Sequence, residues 1–206
     1  MKNCIPDKTI GRLCLYRRVL YDLNLKKIRS VFSHQLAAET GVTAAQLRRD
    51  LMFVGNLGNP QHGYDVCSLL ESVGDLLDAP KLQFVGIVGA GNLGRAIIAY
   101  FSGRRPKLQI IAAFDKDTSK TNRLIHGCKC YPIEELPNVF AEKGISIGII
   151  AVPAEEAQGI AEMLVNAGAT GIMNFAPVAL RVPPDIHVEN MDMTISLEKV
   201  AYYSRK

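Results

Sequence analysis

The glycine-rich run Gly-Ala-Gly-Asn-Leu-Gly lies close to the middle of this 206-residue chain. An apolar stretch, 84–88, precedes it, and a segment with helical character, 95–101, follows it. In such a strand–turn–helix the first glycine permits a tight turn, the second lets the backbone approach a pyrophosphate, and the third lets helix and strand pack closely. The pyrophosphate then rests on the helix N-terminus. The pattern predicts a dinucleotide site formed by Gly89, Ala90, Gly91, Asn92, Leu93 and Gly94.

Asp115 lies 21 residues beyond Gly94, at the end of a predicted strand. An acidic side chain at this point can bind both ribose hydroxyls of the adenosine. Its charge also repels the 2′-phosphate of NADP. The cofactors expected are therefore NADH and NAD+. The neighbouring Lys116 weakens this preference, because its charge attracts phosphate.

Strand-like and helix-like segments alternate from residue 82 onward. Such alternation predicts an α/β fold, a Rossmann-type parallel sheet with helices on both faces. The predicted strands are 83–88, 108–114, 145–152 and 170–175, and the predicted helices are 92–102, 133–143 and 154–167.

Two loops follow the later strands of this sheet. Ala151, Val152 and Pro153 close the third strand, and Asn174 and Phe175 close the fourth. Ligands of open α/β sheets bind beyond the carboxyl ends of the strands, so both loops are expected near the cofactor. An ordinary packing turn is the alternative for each.

The first 79 residues indicate a separate helical module. Leu13, Tyr16, Leu20 and Leu23 recur at three- and four-residue spacing, which predicts a first helix with one apolar stripe.

A helix–glycine–helix pattern follows this first helix. Ser33 is expected to cap a second helix over 34–40, Gly41 ends it, and Thr43 caps a third helix over 44–53. This spacing is the helix-turn-helix pattern of DNA-binding domains.

The third helix has an apolar side and a polar side. Ala44, Leu47 and Leu51 are expected to face the core. Arginine reads guanine edges or binds phosphates, and glutamine reads adenine, so the polar side suits a DNA major groove. A helical hairpin that only packs on the second domain is the alternative. The candidate DNA-binding residues are Thr43, Ala45, Gln46, Arg48 and Arg49, with Arg12 from the basic stretch 8–29.

Charge and hydropathy limit the classes of protein to which this chain can belong. Residues 1–79 hold 10 basic and 8 acidic side chains, a net charge of +2, so phosphate binding must come from local patches. No apolar run approaches the roughly 20 residues of a membrane span. The N-terminus has no apolar signal core, which favours the cytoplasm.

Catalytic and metal-binding patterns are weak. Cys128 and Cys130 form the one cysteine cluster, and reduced thiols rather than a metal site are expected there. No histidine is paired in sequence with a nucleophile or base pattern. The few residues after 190 leave no room for a catalytic domain, so the sequence favours a sensor of the dinucleotide over an enzyme.

A helix-turn-helix module followed by this nucleotide domain resembles the Rex family of redox-sensing transcriptional repressors over nearly the whole chain. The resemblance implies a winged-helix domain, 1–79, a Rossmann NAD(H)-binding domain, 80–190, and a C-terminal helix, 191–206, that exchanges between the subunits of a homodimer. The segments that carry it are 42–51, 89–94, 113–115, 151–153, 171–177 and 188–192.

The family likeness also implies a function. The dimer would bind palindromic operator DNA when NADH is scarce and release it when NADH accumulates. Met193 would lie near the partner subunit's nicotinamide pocket, and Tyr100 would lie on the cofactor helix. Arg18, Tyr100 and Asp192 would form a coupling relay. The alternatives are a solvated helix residue for Arg18, a packing residue for Tyr100 and an N-cap for Asp192.

One departure from the family pattern concerns the wing. The family usually carries a basic residue there, within Gly-Lys/Thr-Arg-Gly, whereas residues 59–62 of this chain are Asn-Pro-Gln-His. A weaker or altered operator interaction is therefore expected. Three other functions stay open: a small NAD-dependent oxidoreductase, a coenzyme A-binding Rossmann protein, and a helical domain that binds protein instead of DNA.

Overall fold

The computed structural model of the chain describes residues 5–55, 58–59, 61–104 and 107–205. The chain divides into two compact units, 1–80 and 81–206. Every helix among the described residues is too short or too polar to cross a bilayer.

The first unit contains a helix-turn-helix and a short antiparallel sheet. β1 pairs with β2 through Ser30 opposite Asp65 and Val31 opposite Tyr64, so the sheet closes the base of the predicted wing. The elements are α1 (Asp7–Leu25), β1 (Ser30–Val31), α2 (Ser33–Thr40), α3 (Ala44–Met52), β2 (Tyr64–Asp65) and α4 (Val66–Leu77).

The apolar stripe of α1 forms the centre of this unit. Leu13, Tyr16 and Leu20 are fully buried, and Leu47 and Leu51 of α3 are buried in the same cluster. Each such side chain contributes about 1.5–3 kcal/mol when it leaves water. The prediction made from the spacing of these residues is confirmed.

The start of α2 differs from the prediction. The helix already includes Ser33, and the N-cap position falls on Phe32, whose backbone N–H donates to the side chain of Gln35. The Ser33 Oγ instead accepts a hydrogen bond of 3.0 Å from Arg48. The predicted cap was wrong because the hydroxyl is taken by a side chain 15 residues away.

The second unit is built on a seven-stranded sheet in the order β5-β6-β4-β3-β7-β8-β9. All neighbouring strands are parallel except β5 and β6. The elements are β3 (Gln83–Val88), α5 (Asn92–Phe101), β4 (Leu108–Asp115), β5 (Leu124–Ile125), β6 (Cys128–Pro132), α6 (Leu136–Lys143), β7 (Ile145–Ile150), α7 (Ala154–Asn166), β8 (Gly171–Asn174), β9 (His187–Asn190) and α8 (Met193–Tyr203).

Side chains alternate between the two faces of this sheet. On β4, Phe114 packs with Phe140 of α6 on one face, while Ala113 packs with Ile98 of α5 on the other. Helices therefore cover both faces, as the βα alternation predicts.

In the second unit, the strands β5, β6 and β9 were not predicted by the sequence analysis. β5 and β6 form a hairpin whose turn residues, His126 and Gly127, have φ of 47° and 82°. Positive φ at two successive turn residues is typical of tight hairpins, but a histidine–glycine pair is a weak signal for one. β9 is a short edge strand in which Val188 is the one apolar residue, so its four residues show no repeated hydrophobic alternation.

The last helix, α8, has no buried residue. Its large apolar side chains reach solvent instead: Leu197 is 70% exposed and Tyr203 is 82% exposed. Apolar surface of this kind marks a contact site in soluble proteins.

Candidate nucleotide site and DNA-binding surface

The glycine-rich turn joins β3 to α5 at the carboxyl end of the sheet. Gly89 has φ of +101°, and a side chain there would collide with the backbone carbonyl of Ala151. A side chain on Gly94 would collide with the Gly89 carbonyl oxygen, so these two glycines are required by the fold itself. Gly91 has open space around its Cα and φ of −74°. Its role is therefore not set by packing within the chain.

The turn occupies the point where the strand order reverses. β3 lies between β4 and β7, and the chain builds one side of the sheet before it crosses to the other. Open α/β sheets bind ligands in the crevice at this switch point. The amides at the start of α5, which begins at Asn92, are available there to an anion.

Asp115 is already hydrogen-bonded to the turn. Its Oδ2 accepts from the Ala90 amide at 2.8 Å and its Oδ1 accepts from the Asp117 amide at 2.9 Å. Lys120 Nζ lies 3.3 Å from Oδ2. A carboxylate accepts about four hydrogen bonds, so one position stays open and a second ribose hydroxyl would have to displace Lys120.

A cavity of about 300 Å³ lies beside this carboxylate. The structure brings six predicted residues to its wall: Gly89, Gly91, Asp115, Ala151, Val152 and Pro153. The sequence analysis missed five others: Val88, Lys120, Ile133, Glu156 and Ile160. Val88 ends the predicted strand 83–88, so its place at the carboxyl end of a strand was a signal that could have identified it. Ile133 follows β6, which was not predicted, and Glu156 and Ile160 lie within α7, so the same signal did not mark them.

Lys116 and Glu156 form an ion pair at this cavity, with Nζ and Oε1 2.5 Å apart. The hydrogen bond to Glu156 raises the pKa of Lys116 above its usual value. Glu156 lies in the first turn of α7, where a carboxylate also faces the positive end of the helix dipole.

Several predicted cofactor residues lie outside the cavity wall. The Asn174 side chain is buried and its amide is used within the chain, since Nδ2 donates to Ala176, Val178 and Asn190. These hydrogen bonds hold the turn that follows β8. Among the described residues, the wall also omits Ala90, Asn92, Leu93, Gly94, Phe175, Tyr100 and Met193.

Two of these residues lie on exposed helix surfaces. Tyr100 of α5 is 57% exposed, and the Arg104 guanidinium lies 4.1 Å from its ring centroid. Met193, the first residue of α8, is 60% exposed. Their assignment to the cofactor stays a prediction.

The polar side of α3 is mostly free of contacts with the rest of its unit. Ala45, Arg48 and Arg49 are exposed. The Thr43 side chain caps α3 by accepting from the Gln46 amide at 3.1 Å, as predicted, and its hydroxyl proton remains available to a ligand.

Gln46 does not point fully outward, which corrects the prediction. Its side-chain amide donates to Asp50 Oδ1 at 2.9 Å, and the residue is half-buried. The two residues are one helical turn apart, a spacing at which side chains on a helix meet. Adenine recognition by Gln46 would require this bond to break.

Asp50 is the centre of a polar cluster that the sequence analysis missed. Its side chain is 2% exposed, and it accepts two hydrogen bonds from Arg12, at 2.6 and 2.7 Å, and one of 2.8 Å from the Tyr16 hydroxyl. Burial acts to raise the pKa of Asp50, but the hydrogen bonds from Arg12, Tyr16 and Gln46 outweigh it and hold that pKa below its usual value. Burial and the neighbouring Asp50 raise the pKa of Tyr16.

This cluster gives Arg12 an evident structural role. Its guanidinium also donates to Thr9 at 3.0 Å, so it ties α1 to α3. The proposal that Arg12 binds DNA stays a prediction that must compete with this buried ion pair.

The wing is partly described. Asn59 pairs with Gly63, and its Oδ1 accepts from the amides of Gln61, at 2.7 Å, and His62, at 3.3 Å. Pro60 lies outside the described residues. Arg29, which the sequence analysis did not single out, shares an open notch with His62 beside the wing.

The three proposed coupling residues are divided between the two units, with Arg18 in the first and Tyr100 and Asp192 in the second. Arg18 is an exposed residue of α1 in the first unit. Asp192 in the second unit caps α8, because its carboxylate accepts from the Ile195 amide at 3.0 Å. The alternative assignment of Asp192 as an N-cap is therefore observed, and its role in coupling stays a prediction.

Cys128 and Cys130 belong to β6, and both are buried in the core. Burial, and to a smaller extent the neighbouring Cys130, raises the pKa of Cys128 to about 12. Among the described residues neither cysteine belongs to a group that could hold a metal ion. Buried thiols of this kind are unreactive.

Two protein-family models match the chain, one to each unit. Residues 4–51 match the family described as "Putative DNA-binding protein N-terminus", and residues 81–178 match the family described as "CoA binding domain".

Relatives cover the chain almost from end to end. The redox-sensing transcriptional repressor Rex of Carboxydothermus hydrogenoformans is 41% identical over 98% of this chain and 97% of its own length. That of Desulforamulus reducens is 38% identical over 96% and 94%.

Solved structures agree with these relatives. RSP, a Rex-family repressor, superposes on 98% of this chain and 94% of its own at a TM-score of 0.87 and 33% identity. The crystal structure of RSP with β-NAD+ and operator DNA superposes on 98% of this chain and 93% of its own at 0.90 and 34%. The predicted fold class is confirmed by this agreement. The chain belongs to the Rex family of redox-sensing transcriptional repressors.

Proposed function

We propose that this chain is a transcriptional repressor that senses the ratio of NADH to NAD+, binds operator DNA as a homodimer and releases it when NADH binds. The observation that carries the proposal is the match over 98% of the chain to RSP, which was crystallised both with NADH and with NAD+ and operator DNA. The relatives are named as repressors, so we propose that this chain is a regulator and not an enzyme. We also propose that it is located in the cytoplasm.

The nucleotide site of the second unit supports the cofactor. Open space at Gly91 leaves room for a pyrophosphate on the first amides of α5. The cavity continues from that turn to Asp115, which keeps acceptor capacity for a ribose hydroxyl. A dinucleotide therefore finds its phosphate donors and its ribose acceptor along one wall.

The exposed side of α3 supports the DNA contact. Arg48 and Arg49 are exposed, and Thr43 at the helix start has a free hydroxyl proton. Recognition helices contact bases with residues near their N-termini. Because the described part of the wing has no lysine or arginine, we assign most of the phosphate attraction to α3 and its surroundings.

The surface of α8 supports the homodimer. Isolated helices of eleven residues are only marginally stable in water, and α8 has no buried residue that would stabilise it on its own subunit. Exchange of α8 with a second copy would bury Met193, Leu197 and Val200, which are 60%, 70% and 64% exposed here.

The proposed switch depends on the charge of the nicotinamide ring. NAD+ has a positive ring and NADH a neutral one, and burying an unpaired cation is costly. A lid that carries Met193 of the partner subunit would therefore favour NADH. A ligand shifts an equilibrium only by its differential affinity for the two states. NADH would thus stabilise a closed dimer whose recognition helices no longer fit two half-sites one helical turn apart.

Operator binding under nucleotide titration tests the proposal. A labelled palindromic duplex is bound to saturation, and NADH or NAD+ is added while fluorescence anisotropy is followed. NADH should release the duplex at concentrations where NAD+ does not. Arg48→Ala and Arg49→Ala should each weaken binding and reduce its salt dependence by about 0.9 in log–log slope. Arg181→Ala, an exposed arginine of the second unit, is the matched control. If neither NADH nor NAD+ changes the affinity for the duplex, the sensor function is contradicted.

Coenzyme A is a second candidate ligand, because residues 81–178 match the family described as "CoA binding domain". The adenosine of coenzyme A has a phosphorylated ribose, and Asp115 at the ribose end of the cavity opposes such a group. Calorimetric titration with coenzyme A and with NADH separates the two ligands. Tighter binding of coenzyme A would favour this alternative.

A further inference from the structure

An ion pair lies at the wall of the cavity, near Asp115. Lys116 follows the last residue of β4, and Glu156 lies in the first turn of α7, 40 residues later. Since β4 and β7 flank β3 on opposite sides, the pair joins the end of β4 to the start of α7, the helix that follows β7. Both side chains also line the cavity, beside Asp115.

Among the described residues, the two lysines that line the cavity beside Asp115 are both paired with carboxylates. Lys116 Nζ lies 2.5 Å from Glu156, while Lys120 Nζ lies 3.3 Å from Asp115 and 3.4 Å from Asp117. Three carboxylates thus face two ammonium groups. A ribose without a phosphate tolerates this balance, whereas a 2′-phosphate would meet net negative charge along this part of the cavity wall.

We propose that Glu156 determines the dinucleotide specificity of this chain by holding Lys116 away from the 2′-phosphate of NADP(H). A lysine ammonium is a compact point charge with three donors and binds phosphate readily when it is free. Directly after the ribose acid it lies where a 2′-phosphate would arrive. Glu156 neutralises that charge through the ion pair. This inference rests on the nucleotide site of the proposed function.

The variant Glu156→Gln tests the inference in the full-length chain. Isothermal titration with NADH and with NADPH suits this protein, because it has no tryptophan whose fluorescence could report binding. We expect NADPH to bind roughly fivefold more tightly to the variant, the upper range for a single exposed ion pair. The ratio of NADPH affinity to NADH affinity should therefore rise in the variant.

Two controls separate a direct charge effect from a general one. Glu155→Gln removes the same charge from an exposed neighbour that does not line the cavity and that acts on Lys116 through a weaker coulombic interaction, so it should raise NADPH affinity less than Glu156→Gln does. Glu156→Gln combined with Lys116→Met should abolish the gain. The gain of the single variant should also shrink near 1 M salt, where the Debye length falls to about 3 Å.

The outcomes distinguish this inference from the function beneath it. If NADH binds and Glu156→Gln improves NADPH no more than Glu155→Gln does, the role of Glu156 is refuted while the nucleotide site stands. A gain that persists without Lys116 refutes it as well. If the unaltered chain binds neither nucleotide, the site assignment fails and this inference fails with it.

Discussion

Asp50 on α3 receives two hydrogen bonds from the guanidinium of Arg12 on α1, through Nε at 2.6 Å and Nη2 at 2.7 Å. The two residues are 38 positions apart in the chain, and the carboxylate is almost fully buried. The pair fixes the helix that carries the candidate DNA-binding residues. A bidentate ion pair of this kind sets orientation as well as distance.

Loss of the Asp50 charge should destabilise the first unit. Asp50→Asn leaves Arg12 without its counter-charge, and removing one partner of a buried pair costs about 3 kcal/mol or more. Urea unfolding followed by circular dichroism measures the change. Asp75→Asn, on the exposed side of α4, is the control and should change stability by less than about 0.5 kcal/mol. Equal curves for the two variants would mean that the buried pair adds nothing.

The same carboxylate predicts an acid limit to stability. The pKa of Asp50 is lower in the folded chain than its usual value, so its stabilising contribution is present above the unfolded pKa of about 3.9 and is lost as the pH falls through the folded pKa. Unfolding free energies between pH 7 and pH 2 should fall more steeply for the unaltered chain than for Asp50→Asn. Parallel pH profiles would contradict the prediction.

Gly91→Ala and Gly94→Ala should separate ligand binding from folding. A methyl group at residue 91 meets no atom within 4 Å, whereas one at residue 94 collides with the Gly89 carbonyl. We expect Gly91→Ala to keep the melting temperature and lose NADH binding, and Gly94→Ala to lose both. Calorimetry and thermal unfolding measure the two properties. Unimpaired NADH binding by Gly91→Ala would place the pyrophosphate elsewhere.

Substitutions at Asp192 distinguish a helix cap from a coupling residue. Asn caps helices about as well as Asp, so Asp192→Asn keeps the bond to the Ile195 amide and removes the charge. If the charge couples NADH to DNA release, both Asp192→Asn and Asp192→Lys should retain operator DNA in the presence of NADH. An Asn variant that releases DNA normally, beside a defective Lys variant, would leave the residue as a cap alone.

The dimer prediction can be tested on α8. Leu197→Glu places a charge on a side chain that is 70% exposed in the single chain, so it is harmless to an isolated subunit but costly in a buried contact. Sedimentation equilibrium should show a shift from dimer to monomer, whereas Glu198→Gln on the same helix should leave the dimer intact. A dimer that survives Leu197→Glu would exclude this helix face from the interface.

Cysteine reactivity should follow burial. Cys128 and Cys130 are buried, and the pKa of Cys128 is about 12, so neither should be modified by iodoacetamide in the folded chain at pH 8. Cys14 and Cys67 are exposed and should be modified. Mass spectrometry of peptides locates the modified thiols, and labelling in urea supplies the control. Rapid modification of Cys130 in the native chain would show that β6 opens.

Short-range sequence patterns predicted the elements that are determined by residues close together in the chain. The stripe of Leu13, Tyr16 and Leu20 and the glycines of the β3–α5 turn have fixed spacings, and each appeared where it was expected. The site details depend on contacts between distant positions, such as Lys116 with Glu156, 40 residues apart. No spacing rule relates two such residues until the strand order is known, and the sequence does not reveal strand order.

The bond between Asp115 and the Ala90 amide bears on how fast the protein responds. It holds the glycine-rich turn in one shape before any ligand arrives. Association slows when a binding segment must first rearrange. Because no such rearrangement is needed here, the dissociation rate of the bound nucleotide determines how quickly the occupancy of this site follows a change in nucleotide concentration.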